Sequence, residues 1–153
     1  MLFLLFRLDA DWYALDASAV DEVLPLTQLK QIPQAPAGVA GLFNLRGTPV
    51  PAIDLSLLAL GRPSRAVRST RILLIRGSDR FGSARPFGLI AEHATETLKR
   101  SPSDFIEAGI RSDGAPYLGP VVQDTRGLVQ WIAADRLLSE PLREALFQGP
   151  TTA

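Results

Sequence analysis

A mainly β fold is expected for this chain, and three features of its 153 residues predict it. Twelve prolines and twelve glycines are spread along the sequence and leave few stretches long enough for a large helix. The apolar runs are correspondingly short. Turn-forming sequences, among them Asp9-Ala10-Asp11, Arg46-Gly47 and Asp124-Thr125-Arg126-Gly127, stand between those runs where hairpins need them.

Leu2 to Leu8 reads as the first strand, with Trp12 to Leu15 returning across the polar turn as its hairpin partner. Leu15, Ala19, Val20, Val23 and Leu24 then recur at helical spacing up to Pro25, with Asp16 or Ser18 available as a cap. A strand over Val20 to Leu24 remains the alternative. It would point Val20 and Glu22 the same way, whereas a helix separates them by about 200°. Val39 to Leu45 and Thr48 to Asp54 flank Arg46-Gly47 as a second hairpin whose glycine can adopt positive φ. Pro49 and Pro51 have no N–H to give to a ladder and place the second strand at an edge.

Asp54 is positioned to cap a short helix over Leu55 to Leu60, which Gly61 ends. Residues 62–70 have almost no apolar content and read as a linker. Ile72 to Ile75, Phe87 to Ala91, Thr95 to Leu98 and Tyr117 to Val122 are expected strands, and Gly127 to Ile132 pairs back across the 124–127 turn. Ser139 before Pro141 starts a terminal helix, about 140–147, with Leu142, Leu146 and Phe147 as its apolar stripe. The expected organisation is one domain over 1–150: a subdomain at about 1–61 with C-terminal contributions, the linker, a second subdomain at about 71–135, and the helix. Leu4, Phe6, Leu15, Val50, Ile53, Ile72 and Leu89 are the expected core.

Composition narrows function by exclusion. The chain has no cysteine and a single histidine, His93, which removes thiol chemistry, disulfides and multi-histidine metal centres. Sixteen basic residues balance sixteen acidic ones, but residues 62–100 carry nine basic against three acidic. That run contains Arg62, Arg65, Arg68, Arg71, Arg76, Arg80 and Arg85. It lacks the interleaved aromatics of a single-strand binder, so a third reading, a nucleic-acid-binding barrel, is less favoured than steering of an acidic protein partner. The apolar start, Met1 to Phe6, is too short to span a membrane, and a cytoplasmic protein is expected.

Enzyme motifs are missing: no G-x-S-x-G, no G-x-x-x-x-G-K, no G-x-G-x-x-G, no H-E-x-x-H. Gly77 to Ser83 lacks the lysine and following helix of a phosphate loop and reads as a turn between strands. Glu92, His93 and Glu96 could surround a metal only if helical, and His93 has no recognisable nucleophile to serve. No catalytic residue, metal or cofactor is expected.

The run from Val39 to Leu55, V-A-G-L-F-N-L-R-G-T-P-V-P-A-I-D-L, resembles the signature of the CheW family, a G-V-x-N-L-R-G hairpin leading into V-P-V-I-D-L. Trp12 to Leu15 resembles the family's Y-A-I strand, Val20 to Leu24 its V-x-E-V, and Phe87 to Ile90 and Gly127 to Leu138 its second-half strand and final hairpin plus helix. Ala91 to Ala94 departs from the usual V-D-x-V, Gln130-Trp131 interrupts an aliphatic strand, and residues 62–71 are unusually rich in arginine.

The resemblance implies two interlocked five-stranded SH3-like β-barrels around a shared core, with short helices and a C-terminal helix. It implies a helical turn at about 16–19 followed by a strand, with Val20 and Glu22 on one face as a groove wall. It also implies a non-enzymatic cytoplasmic adaptor, tied to membrane arrays only through its partners. Those partners are the cytoplasmic tip of a chemoreceptor and the regulatory domain of a CheA-type histidine kinase. A scaffold of a non-flagellar, surface-sensing or second-messenger pathway is the alternative. The family's receptor-binding positions map onto Val20, Glu22, Gly41, Asn44 and Arg46, with Gly47 the turn glycine beside them.

Overall fold

A computed structural model describes residues 1–148 apart from positions 80 and 111. Arg80 of the basic run and the last residues of the expected 1–150 domain lie outside the described residues. The first turn closes as its sequence predicts, joining β1 (Leu2–Leu8) to β2 (Asp11–Asp16), with Leu8 opposite Asp11 and Phe3 opposite Asp16. A single helical turn, Ala17–Ala19, follows; the Asp16 carboxylate caps it by accepting the Ser18 N–H at 2.9 Å. The chain then extends into β3 (Val20–Pro25), so the helical spacing of Leu15 to Leu24 covers one turn and a strand.

β4 (Val39–Leu45) and β5 (Thr48–Asp54) form the second hairpin. Its edge is local: Pro49 and Pro51 lie where β5 has only β4 beside it, and β7 runs alongside from Ala52 onward. The Asp54 carboxylate accepts the N–H groups of Ser56 and Leu57 and so starts α1 (Leu55–Leu60), which Gly61 ends at φ 76°. The same carboxylate accepts the Ser64 N–H at 2.8 Å and the Ser64 hydroxyl at 2.6 Å. Residues 62–70 are therefore tethered by the cap of the preceding helix.

β6 (Arg71–Ile75) pairs with both β3 and β7. The two strands expected at Phe87 to Ala91 and Thr95 to Leu98 are one continuous strand, β7 (Phe87–Lys99). His93 makes this possible. Its φ of 51° takes the chain through a kink, and the register against β1 shifts there, between Leu5 and Arg7, without ending the strand. β8 (Leu118–Asp124) and β9 (Gly127–Ile132) form the last hairpin, and Ser139 caps α2 (Glu140–Leu146).

The strands separate into two five-stranded sets that share β7. Its second half pairs with β1, which continues through β2 and β9 to β8; its first half pairs with β5 and β6, which continue to β4 and β3. Each set curls toward closure through an isolated bridge, Ile106 to Val121 in the first and Lys30 to Leu42 in the second. Two joins are parallel, β2 with β9 and β5 with β7, and both need distant segments. Only the second barrel is one contiguous stretch: its strands come from residues 20–91, whereas the first takes strands from residues 2–16 and 92–132.

Period-two alternation lets one strand serve two cores. Along β1, Phe3 and Leu5 enter the first barrel with Ala14, Leu98, Val122 and Val129, while Phe6 and Leu8 face a cluster between the barrels with Leu15, Leu73, Ile75 and Leu89. Phe43, Val50, Ile72, Leu74 and Ile90 fill the second barrel. Trp131 breaks the aliphatic pattern of β9 to lie edge-on against Phe3 at 4.9 Å. Each such buried side chain contributes about 1.5–3 kcal/mol relative to exposure. Among the expected core residues Leu4 is only half-buried, at the margin of the inter-barrel cluster.

Candidate partner-binding site

The β4–β5 register sets Leu45 opposite Thr48 and leaves Arg46-Gly47 as a two-residue turn with φ of 48° and 91°. Positive φ at both central positions matches the twist of the flanking strands. Gly47 adopts it without cost, whereas Arg46 does so at about 1–2 kcal/mol. Asn44 offsets that strain, its Oδ1 accepting the Gly47 N–H at 2.7 Å. Asn44 thus shapes the turn that presents Arg46.

From the tip, the Arg46 guanidinium reaches across to β3 and meets Glu22 in a two-bond fork, Nη1 to Oε1 at 3.3 Å and Nη2 to Oε2 at 3.1 Å. The Arg46 side chain is 69% exposed and that of Glu22 39%. Glu22 stands there because β3 carries an extra residue: Val20 lies opposite Ile75 and Glu22 opposite Leu74, with Asp21 between them unpaired in the ladder. Asp21 instead binds Arg76 at 3.3 Å.

The extra residue also overturns the expectation that Val20 and Glu22 share a face. Val20 joins the inter-barrel cluster that holds Ile75, whereas Leu24, on the same side as Glu22, packs with Ile72 and Leu74 inside the second barrel. Gly41 is also separate from the tip, five residues back along β4, about 17 Å at strand rise. At its φ of 146° a Cβ would sit 2.4 Å from the Lys30 carbonyl oxygen, so only glycine lets residues 29–30 lie against β4. The structure brings Glu22, Asn44, Arg46 and Gly47 together at the turn and places Val20 and Gly41 apart from them.

At the start of β4, next to Val39 and Ala40, runs a groove of about 420 Å³ whose walls mix the apolar Leu26, Leu29, Leu57 and Ile90 with the polar Gln31, Asp54 and Ser64. Its 26–31 wall was not foreseen from the sequence. The alternation Leu24, Leu26 was the available signal, continuing β3 past Pro25 toward the Lys30 bridge.

The other polar candidates disperse. In β7, Glu92 binds Arg65 at 3.4 Å and Glu96 binds Arg126 at 2.8 Å, so they do not converge with His93. Among the described residues no group of three or more metal-ligating side chains comes together. Of the six described arginines in the 62–85 run, four are paired with carboxylates: Arg62 with Asp9, Arg65 with Glu92, Arg76 with Asp21 and Arg85 with Asp79. Burial acts to raise the Asp79 carboxyl, but the N–H groups of Ser83 and Phe81 and the charge of Arg85 outweigh it and hold it below the usual carboxylate range. At Asp124 burial is likewise outweighed, by hydrogen bonds from Arg126 and the charges of Arg126 and Arg100. No helix among the described residues is long and apolar enough to cross a membrane.

A family model described as the CheW-like domain matches residues 2–142. The chain belongs to the CheW family. Two proteins described as chemotaxis protein CheW are similar to it: one from Treponema pallidum, 40% identical over 50 residues, and one from Helicobacter pylori, 26% identical over 102 residues. These alignments cover 33% and 67% of this chain, and the chain spans 29% and 59% of those relatives' lengths. The crystal structure of scaffolding protein TtCheW from Thermoanaerobacter tengcongensis superposes with a TM-score of 0.77 at 22% identity, over 90% of this chain and 87% of that one. The CheW likeness in fold thus includes the paired barrels on which the Arg46 turn is mounted.

Proposed function

We propose that this CheW-family chain is a non-enzymatic adaptor, joining the helical cytoplasmic tip of a chemoreceptor to the regulatory domain of a CheA-type histidine kinase. The observation that supports it most is the exposed fork between Arg46 and Glu22. An ion pair this exposed contributes only about 0–1 kcal/mol to folding, so little is lost when a partner exchanges for one of its members. Arg46 has five N–H donors and gives two to Glu22; a carboxylate on a receptor helix can take the remainder or replace Glu22.

In this reading Asn44 and Gly47 fix the turn, Gly41 keeps the adjoining groove closely lined, and Val20 anchors the start of β3. A receptor helix lays apolar side chains along the groove while Arg46 and Glu22 select a matching charge pair. The kinase domain takes a separate surface, and holding both raises the effective concentration of kinase beside receptor without catalysis.

The test is titration of the purified chain with a receptor-tip hairpin and, separately, with the kinase regulatory domain. Binding to both at tens of micromolar or tighter is expected. Arg46→Glu should weaken the receptor complex at least tenfold, about 1.4 kcal/mol, and leave kinase affinity and circular dichroism unchanged. Failure to bind either protein at tens of micromolar would refute the proposal.

A further inference from the structure

A second charged feature lies away from the Arg46 turn, where the tethered segment after α1 crosses the β1–β2 turn and β7. Here Arg7, Arg62 and Arg65 converge with Asp9, Glu92 and Ser56 on a cleft of about 600 Å³, a volume in the range of small-molecule sites. The charges do not cancel. Arg62 binds Asp9 at 2.8 Å and Arg65 binds Glu92, which also accepts the Arg65 N–H at 3.1 Å. Both carboxylates are thereby engaged, and Arg7 is left over.

Arg7 is half-buried, and its Nε–H is buried with no acceptor among the described residues. The guanidinium lies over the Trp12 ring, 5.6 Å from the centroid, a contact that attracts the cation but offers no acceptor for the N–H. A partly desolvated charge without a hydrogen-bonded counter-charge is costly unless something supplies one. Arg62 and Arg65 are more than half exposed, and each guanidinium has donors beyond those its carboxylate uses.

We propose that this cleft binds a phosphoryl oxyanion, held by the terminal guanidinium nitrogens of half-buried Arg7 and by the exposed Arg62 and Arg65. Guanidinium forks match the tetrahedral oxyanion in geometry and charge, and the Ser56 hydroxyl adds a donor on the cleft wall. The cleft volume leaves room for a diphosphate as well as a monophosphate. The anion would cross-link the 62–65 segment to β1 and thus one barrel to the other.

The test uses the intact chain at constant ionic strength, with inorganic pyrophosphate and a nucleoside diphosphate as probes and chloride as control. Binding is read by calorimetry and by the Arg7 Nε–H resonance. Pyrophosphate should bind at submillimolar concentration and move that resonance, and Arg7→Gln should weaken binding at least tenfold while circular dichroism stays unchanged. Should Arg7→Gln fail to fold, Arg62→Gln with Arg65→Gln on the rim should give the same tenfold loss. Equal affinity for the two probes assigns the site to an inorganic anion, and tighter nucleotide binding to a nucleotide; either supports the proposal. No uptake of either probe beyond the chloride control at 10 mM, or uptake unaffected by these arginine substitutions, would overturn it.

Discussion

Arg46 and Glu22 lie 24 positions apart in sequence and meet through two hydrogen bonds of 3.3 and 3.1 Å, one to each carboxylate oxygen. One comes from a strained turn and the other from a strand with an extra residue, so two local irregularities are needed to align them. Because both side chains are well exposed, Arg46→Ala should change stability by less than about 1 kcal/mol, measured by urea denaturation. The exchange Glu22→Arg with Arg46→Glu should keep that stability and still lose receptor binding at least tenfold. Recovery of binding in the exchanged pair would mean that the fork matters only to the fold.

Gly41 and Gly47 should respond differently to alanine. Gly41→Ala places a Cβ against the Lys30 carbonyl and should cost about 3 kcal/mol or more, lowering the denaturation midpoint sharply. Gly47 has open space around it, so Gly47→Ala bears only the conformational cost of positive φ, about 1 kcal/mol.

Asp54 offers a test of the tether. Its carboxylate serves α1 and Ser64 together, so Asp54→Ala should cost about 2–4 kcal/mol and Ser64→Ala about 1 kcal/mol. Hydrogen exchange should show faster opening of the backbone N–H at position 64 in both variants. Protection unchanged in Ser64→Ala would show that other contacts hold the segment.

Features set by near neighbours were legible in the sequence: the hairpin at Arg46-Gly47, the Asp54 cap, the Gly61 stop and the Ser139 cap all depend on residues within a few positions. Features that depend on distant pairing were not. The continuity of β7 rests on His93 accepting a positive φ that its residue type does not advertise, and the parallel join of β2 to β9 spans more than a hundred residues. The family resemblance points to Glu22 and Arg46 separately, but their fork is invisible in the sequence because the unpaired Asp21 sets which face Glu22 occupies.

Asp124 predicts the acid limb of stability. Its carboxyl is held below its unfolded value, so the stabilisation is fully present above about pH 4, the ordinary aspartate value, and is lost as pH falls through the lower folded value. Asp79 acts in the same direction. The melting temperature should therefore fall below about pH 4. Asp124→Asn should lower it at neutral pH and flatten that fall; an acid limb unchanged in slope would contradict the assignment.

Bridging is the most direct test of the adaptor account. With a receptor-tip hairpin immobilised, the kinase regulatory domain is passed over it with and without this chain. The account predicts that the kinase domain is retained well above background only when the chain is present, and that Arg46→Glu abolishes the retention. Retention independent of the chain, or kinase domain that displaces the chain from the receptor, would contradict it.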